Sequence, residues 1–190
     1  GNAMDAAVAA AIALTVVEPT SNGIGGDAFT LIWDGQTLHG LNASGKSPVL
    51  FNPAKFEKEI PKHGWAPVTV PGCVASWKDV SDRFGKLPFE HLFEPAIRFA
   101  ENGFELTPIC AYYWQKAGEI FKDQPGFAST FLPNGQTPAA GQTVRLPHHA
   151  KTLKEIASTG TNSFYRGRLA ERIHDYAIKS GGWIRKEDLQ

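Results

Sequence analysis

Gly23-Ile24-Gly25-Gly26-Asp27-Ala28 places glycines at positions one and three and a small residue at six, the loose spacing of a dinucleotide-binding turn. That chemistry needs a strand before the turn and a helix after it, so that a pyrophosphate meets the helix N-terminus. Here a helix-like segment precedes and a strand-like segment follows, which argues against nucleotide binding. The glycines instead predict positive φ and close backbone packing ahead of the strand. His148-His149 could suggest a metal site, but adjacent side chains diverge and no carboxylate or cysteine stands at helical spacing to complete one. The pair reads as a solvated helix start. His39, His63, His91 and His174 are scattered singly and read as structural. Glu57 with Glu59, and Glu187 with Asp188, lie in charged stretches and read as solvated surface. No serine sits in a Gly-x-Ser-x-Gly elbow. Cys73 and Cys110 are too few for a disulfide framework and read as free core thiols. By residue type and spacing alone the chain holds no catalytic constellation, and no metal or cofactor ligand is assigned.

The elements that would carry these residues are legible in outline. Asn2 is an N-cap and Asp5 suits the positive end of a helix running from Ala3 to Val17, which Pro19 terminates. The run is apolar nearly all round and reads as a buried helix; at about 15 residues it is shorter than the ~20 a membrane span needs. Ala28 to Trp33 reads as a strand, Asp34-Gly35 as a hairpin turn and Gln36 to Leu41 as the return strand. A short strand is expected at Val68-Thr69-Val70. Helices are expected over Val74–Phe84, Phe89–Glu101, Pro108–Phe121, His149–Ser158 and Arg168–Ser180, with Gly126–Gly141 as a loop. The opening and the close, Arg185 to Gln190, read as the edges of a segment of something longer.

Lys plus Arg and Asp plus Glu both total 19 in 190 residues, so the formal charge is zero. Such a balance supplies no electrostatic footprint for nucleic acid or an anionic membrane. A hydrophobic fraction of 42%, with 12 Phe and 5 Trp, is enough for a sizeable core and excludes general disorder.

A series of motifs runs the length of the chain: Gly1-Asn2-Ala3-Met4-Asp5-Ala6-Ala7-Val8, then Val17-Glu18-Pro19 and Ser21-Asn22-Gly23-Ile24-Gly25-Gly26. It resumes at Val70-Pro71-Gly72, Gly85-Lys86-Leu87-Pro88 and Pro95-Ala96-Ile97, and persists in Phe164-Tyr165-Arg166-Gly167, Gly181-Gly182 and Asp188-Leu189. In these stretches and their order the sequence resembles the γ-glutamyltransferase (γ-glutamyltranspeptidase) family of N-terminal nucleophile hydrolases.

The resemblance implies a helix-rich α+β chain, part of a four-layer αββα sandwich, with residues 1–190 forming one incomplete segment of the large subunit. It implies a precursor that cleaves itself, a small subunit from that precursor as partner, and an N-terminal Thr nucleophile on the small subunit, outside this chain. The chemistry would be acyl transfer from a γ-glutamyl or related donor to water or an amine. Family members acting on γ-glutamyl compounds carry an Arg-Glu-Thr-Ala-Pro type segment whose arginine grips the donor α-carboxylate. Set on Pro48, that segment falls on Ser44-Gly45-Lys46-Ser47-Pro48, so Ser44 stands where the arginine would be and Lys46 is the nearby cation. Ser44 and Lys46 are therefore the candidate substrate-binding residues. The departure fits a branch with cephalosporin-acylase-like members, in which a glutaryl or other acyl donor replaces γ-glutamyl. A non-catalytic scaffold that kept the fold is the competing expectation.

Overall fold

The computed structural model describes residues 1–124 and 126–190. Helix α1 (Ala3–Val17) begins where its cap dictates: Asn2 Oδ1 accepts the N–H groups of Met4 and Asp5, both at 3.0 Å. The Asp5 carboxylate reaches back to the Asn2 N–H at 2.7 Å, completing a reciprocal capping box. The same carboxylate accepts the Lys86 N–H at 3.0 Å and the Leu87 N–H at 3.3 Å, while Asn2 Nδ2 donates to the Phe84 carbonyl at 2.7 Å. Burial raises the Asp5 carboxyl, but the backbone donors of Asn2, Lys86 and Leu87 outweigh it and hold the group below its ordinary value. One buried acid thus fastens the start of α1 to the turn at Gly85.

The chain forms two compact units, residues 1–23 with 81–158, and residues 24–80 with 159–190. In the first, α1 packs against α3 (Glu94–Asn102) and the 3₁₀ turn Phe89–Phe93 that leads into it. The two-stranded pair β3 (Phe104–Glu105) and β4 (Thr143–Val144) joins this region to α6 (Pro147–Thr159). Ile12, Phe93, Trp114, Leu153 and Ile156 are fully buried here. Helix α4 (Pro108–Phe121) is capped by Thr107 and contacts the short α5 (Phe127–Phe131).

The second unit holds the antiparallel hairpin β1 (Ala28–Trp33) and β2 (Leu38–Ala43), and the Cys73–Val80 part of α2 (Cys73–Phe84). It also holds α7 (Asn162–Tyr165), α8 (Arg168–Lys179) and a closing 3₁₀ turn, Lys186–Leu189. Val70, Ala170, Ala177, Ile184 and Leu189 form its buried cluster, with Trp65 and Ile173 packed on it.

Several expectations are corrected. Helix α1 buries one face, Val8, Ile12, Thr15 and Val16, and exposes Ala6, Ala7, Ala10 and Leu14. Strand β2 starts at Leu38 because Asp34 Oδ1 takes the N–H groups of Gln36 and Thr37 at 2.8 and 2.7 Å, drawing both into the turn. Val68–Val70 is not a strand; the Val68 N–H bonds the Trp65 carbonyl at 3.1 Å in a local turn, and the Val70 N–H bonds the Lys46 carbonyl at 3.0 Å. The expected helix at Phe89–Glu101 divides into the 3₁₀ turn and α3, with Pro95 in the first turn of α3. The expected loop at Gly126–Gly141 contains α5 and a 3₁₀ turn at Pro133–Gly135. Gly23 and Gly25 have neither positive φ nor close neighbours. Asp188 is buried rather than solvated, its carboxylate accepting the Val49 N–H at 2.9 Å and the Arg185 N–H at 2.7 Å. His149 is half-buried, its ring 5.7 Å from that of Phe131, and burial, together with the charge of His148, lowers its pKa. Among the described residues no helix is long and apolar enough to cross a membrane.

Candidate functional site

The hairpin register pairs Ala28 with Ala43, so Asp27 and Ser44 are the next residues outward on the two arms. The chain continues from Ser44 through Gly45 and Lys46 to Pro48, which is buried. Two anchors set the path of this loop. At its near end the Gly45 N–H donates to Asp27 Oδ1 at 3.2 Å, and the Ser44 N–H donates to Asn42 Oδ1 at 2.9 Å. At its far end the buried Asp188 carboxylate holds the Val49 N–H.

Residues 69–73 run against both arms. The Val70 N–H bonds the Lys46 carbonyl at 3.0 Å, and the N–H groups of Gly72 and Cys73 both bond the Gly26 carbonyl, at 3.1 and 3.0 Å. These approaches require glycine at two places. A Cβ on Gly45 would collide with the Val70 carbonyl, and one on Gly72 with the Ala43 carbonyl.

The segment is braced from behind by Tyr165. Its hydroxyl donates to the Pro71 carbonyl at 2.8 Å and accepts the Ala75 N–H at 3.0 Å, one of the N–H groups that the first turn of α2 leaves unpaired. Burial pushes the Tyr165 phenol up to about 12, the Ala75 bond opposing it. Cys73 donates its S–H to the Ile24 carbonyl at 2.9 Å, and burial pushes its thiol up to about 11. A thiol so held is a poor nucleophile at neutral pH. Both groups serve to fix backbone.

The surface this frame presents is the loop itself. Ser44 and Lys46 are exposed, and no carboxylate pairs with Lys46 among the described residues. The two candidate residues therefore share one loop anchored at both ends, with Ser44 and Lys46 exposed on it. Sequence reasoning missed the groups that seat it: Asp27, Gly45, Thr69, Gly72, Tyr165 and Asp188. Gly72 and Tyr165 lie in stretches that carried the family likeness, but nothing in the chain linked them to Ser44.

Elsewhere the chemistry is thin. An apolar recess of about 110 Å³ lies among Trp114, Phe121, Phe127 and Phe131, with Thr20 as its polar edge. The Trp114 indole N–H is committed to the Phe131 carbonyl at 2.7 Å. No group of three or more His, Cys, Asp or Glu residues that could hold a metal ion occurs among the described residues.

Comparison with known proteins follows the same lines. The family model described as gamma-glutamyltranspeptidase matches residues 1–190. Over 200 residues the chain is 38% identical to oxamate amidohydrolase proenzyme of Klebsiella pneumoniae, covering 100% of this chain and 38% of that protein. It is 34% identical over 196 residues to glutathione hydrolase-like YwrD proenzyme of Bacillus subtilis, covering 100% of this chain and 37% of that protein. The crystal structure of cephalosporin acylase from Bacillus halodurans superposes with a TM-score of 0.93 at 48% identity, over 99% of this chain and 37% of that one. The chain thus spans well under half the length of these relatives.

Proposed function

The chain belongs to the gamma-glutamyltranspeptidase family, and from that premise we propose that it is the large-subunit segment of an acyl-transferring amidohydrolase whose N-terminal nucleophile is supplied by a segment beyond residues 1–190. Family membership brings the helix-rich α+β fold of N-terminal nucleophile hydrolases with it, as the match to cephalosporin acylase reflects. The observation that carries the proposal is the whole-chain match to relatives that are proenzymes and more than twice as long.

In this reading residues 1–190 form one incomplete part of a sandwich. Support comes from the hairpin. Phe29, Leu31 and Trp33 of β1 and Leu38 of β2 are 71, 77, 64 and 63% exposed, so the outward face is apolar while Ile32 points inward. A sheet face of that character belongs against another layer. The small subunit from the same precursor is the proposed cover.

The chain's own part in the chemistry is to bind the donor. The loop Ser44–Lys46 would meet the end of the donor remote from the scissile bond, with the acyl group passing to a small-subunit Thr and then to water or an amine. A second reading, toward an acyl amide that carries no carboxylate at that end in place of a γ-glutamyl compound, is favoured by the residue at position 44. Set on Pro48, the family's segment puts Ser44 where the carboxylate-gripping arginine would be, and a serine hydroxyl lacks the planar, two-pronged donor that matches a carboxylate.

The test is the full-length protein. Intact mass and N-terminal sequencing after expression should reveal two chains, the smaller beginning with Thr, and turnover of an acyl amide should vanish when that Thr becomes Ala. An uncleaved product without turnover on glutathione, a glutaryl amide or a neutral acyl amide would leave the scaffold reading in its place.

A further inference from the structure

We propose that Asp27 is a positioning residue for the donor-binding loop, holding Ser44 and Lys46 in place through the backbone between them. The proposal rests on the reading of that loop as the donor site. Asp27 is the residue before β1, and the register Ala28↔Ala43 sets it opposite Ser44 at the open end of the hairpin. One oxygen, Oδ1, accepts the Gly45 N–H at 3.2 Å and the Thr69 hydroxyl at 3.4 Å. The carboxylate therefore joins three stretches that are far apart in sequence: the glycine turn, the loop after β2 and the strip leading into α2.

The choice of Gly45 as the bonded amide is what gives this contact its reach. Its N–H lies between Ser44 and Lys46, so fixing it fixes the origin of both side chains. Asp27 works alongside its neighbour, since the Gly26 carbonyl takes the N–H groups of Gly72 and Cys73. Residues 26 and 27 together hold the loop on one side and the strip that packs on it on the other. This absorbs the glycine turn, whose nucleotide pattern has no use here: its final residues supply acceptors, not a phosphate cradle.

Asp27 is exposed, so water can replace a lost acceptor without a large penalty to folding. Removing it should loosen the loop more than it weakens the protein. In the full-length protein Asp27→Ala should speed amide hydrogen exchange in the peptide covering residues 42–47. It should also raise KM by about tenfold for a glutaryl amide or glutathione while leaving kcat, and the KM of a neutral acyl amide, near wild type. Asp27→Asn keeps an oxygen acceptor and should restore both readouts. Thr69→Val, which removes one of the two donors, should move exchange the same way by less.

Exchange unchanged in Asp27→Ala and Thr69→Val would overturn the proposal. So would a lowered melting temperature with equal losses on every donor, the mark of a merely structural residue. Faster exchange with KM unchanged on every donor would leave Asp27 holding the loop but overturn the donor-site reading and the positioning role with it. Exchange needs no turnover, so it tests the tie even if none of these donors is a substrate.

Discussion

The α-carbon of Gly45 faces the carbonyl oxygen of Val70 so closely that no Cβ fits between them. The adjacent bond from the Val70 N–H to the Lys46 carbonyl closes the contact from the other side. Gly45→Ala must therefore push the loop off its support, at a cost of about 1–3 kcal/mol. Gly40→Ala is the control in the same hairpin, because its Cβ would meet only the Leu31 side chain, at an ordinary 3.7 Å. Denaturant unfolding of the full-length protein should show the loss for position 45 and none for position 40. Equal stability of the two variants would mean that the loop separates freely from residues 69–73.

What the sequence made legible and what it hid divide along the range of the interactions. The start of α1 was readable because Asn2 and Asp5 bond each other's backbone across three residues. The hairpin was readable in kind but not in register, since the Asp34 side chain decides how many residues the turn takes. The seat of the loop was not readable at all. It depends on Asp27 meeting Thr69 and on Asp188 meeting Val49, contacts made by the fold rather than by spacing. Ser44 and Lys46 came from resemblance alone, and their role as donor-binding residues is a proposal.

Tyr165 offers a test of the brace. Its hydroxyl serves the Pro71 carbonyl and the Ala75 N–H at once. Tyr165→Phe keeps the ring and strands both groups, so a loss of about 1–3 kcal/mol is expected. Because residues 71–75 adjoin the strip under the loop, the same variant should speed exchange at Val70 and Gly72. A variant as stable as wild type, with exchange unchanged, would show that water takes over both bonds.

Asp34 should titrate abnormally. The bond from His39, at 2.8 Å, and then the Thr37 and Gln36 amides hold its carboxyl down from 3.8 to about 2. A depressed carboxyl contributes stability that is present above 3.8 and lost as pH falls through about 2. Carboxyl-carbon NMR should locate the midpoint near the lower value, and His39→Ala should move it back toward the upper one. A midpoint already at the ordinary value in wild type would mean that the turn is not held this way in solution.

The apolar outer face of the hairpin predicts behaviour for residues 1–190 made alone. With Phe29, Leu31, Trp33 and Leu38 bare, the segment should self-associate and bind a hydrophobic dye, and Leu31→Lys should reduce both. In the full-length protein the same substitution should destabilise, because the face would be covered. A monodisperse monomer of the isolated segment melting sharply above about 65 °C, the upper end for ordinary mesophilic domains, would contradict the idea of a missing layer.

In the proposed reading, the loop's side chains set the choice of donor. A bidentate bond from arginine to a carboxylate is worth roughly 1.5–3 kcal/mol, and each 1.4 kcal/mol is about tenfold in efficiency. With Ser44 in that place, kcat/KM on glutathione should fall about ten- to a hundredfold below that of arginine-bearing relatives. Ser44 is exposed and its backbone N–H is held by Asn42, so a change of side chain leaves that bond in place. Ser44→Arg in the full-length protein should therefore raise efficiency on glutathione by about tenfold or more. It should leave a neutral acyl amide near its original rate. Lys46 is the nearby cation in the sequence, a point charge on a flexible stem, and Lys46→Ala should weaken carboxylate-bearing donors while sparing neutral ones. If Lys46→Ala changes nothing and wild-type efficiency on glutathione equals that of arginine-bearing relatives, another cation holds the donor and the loop is not its site.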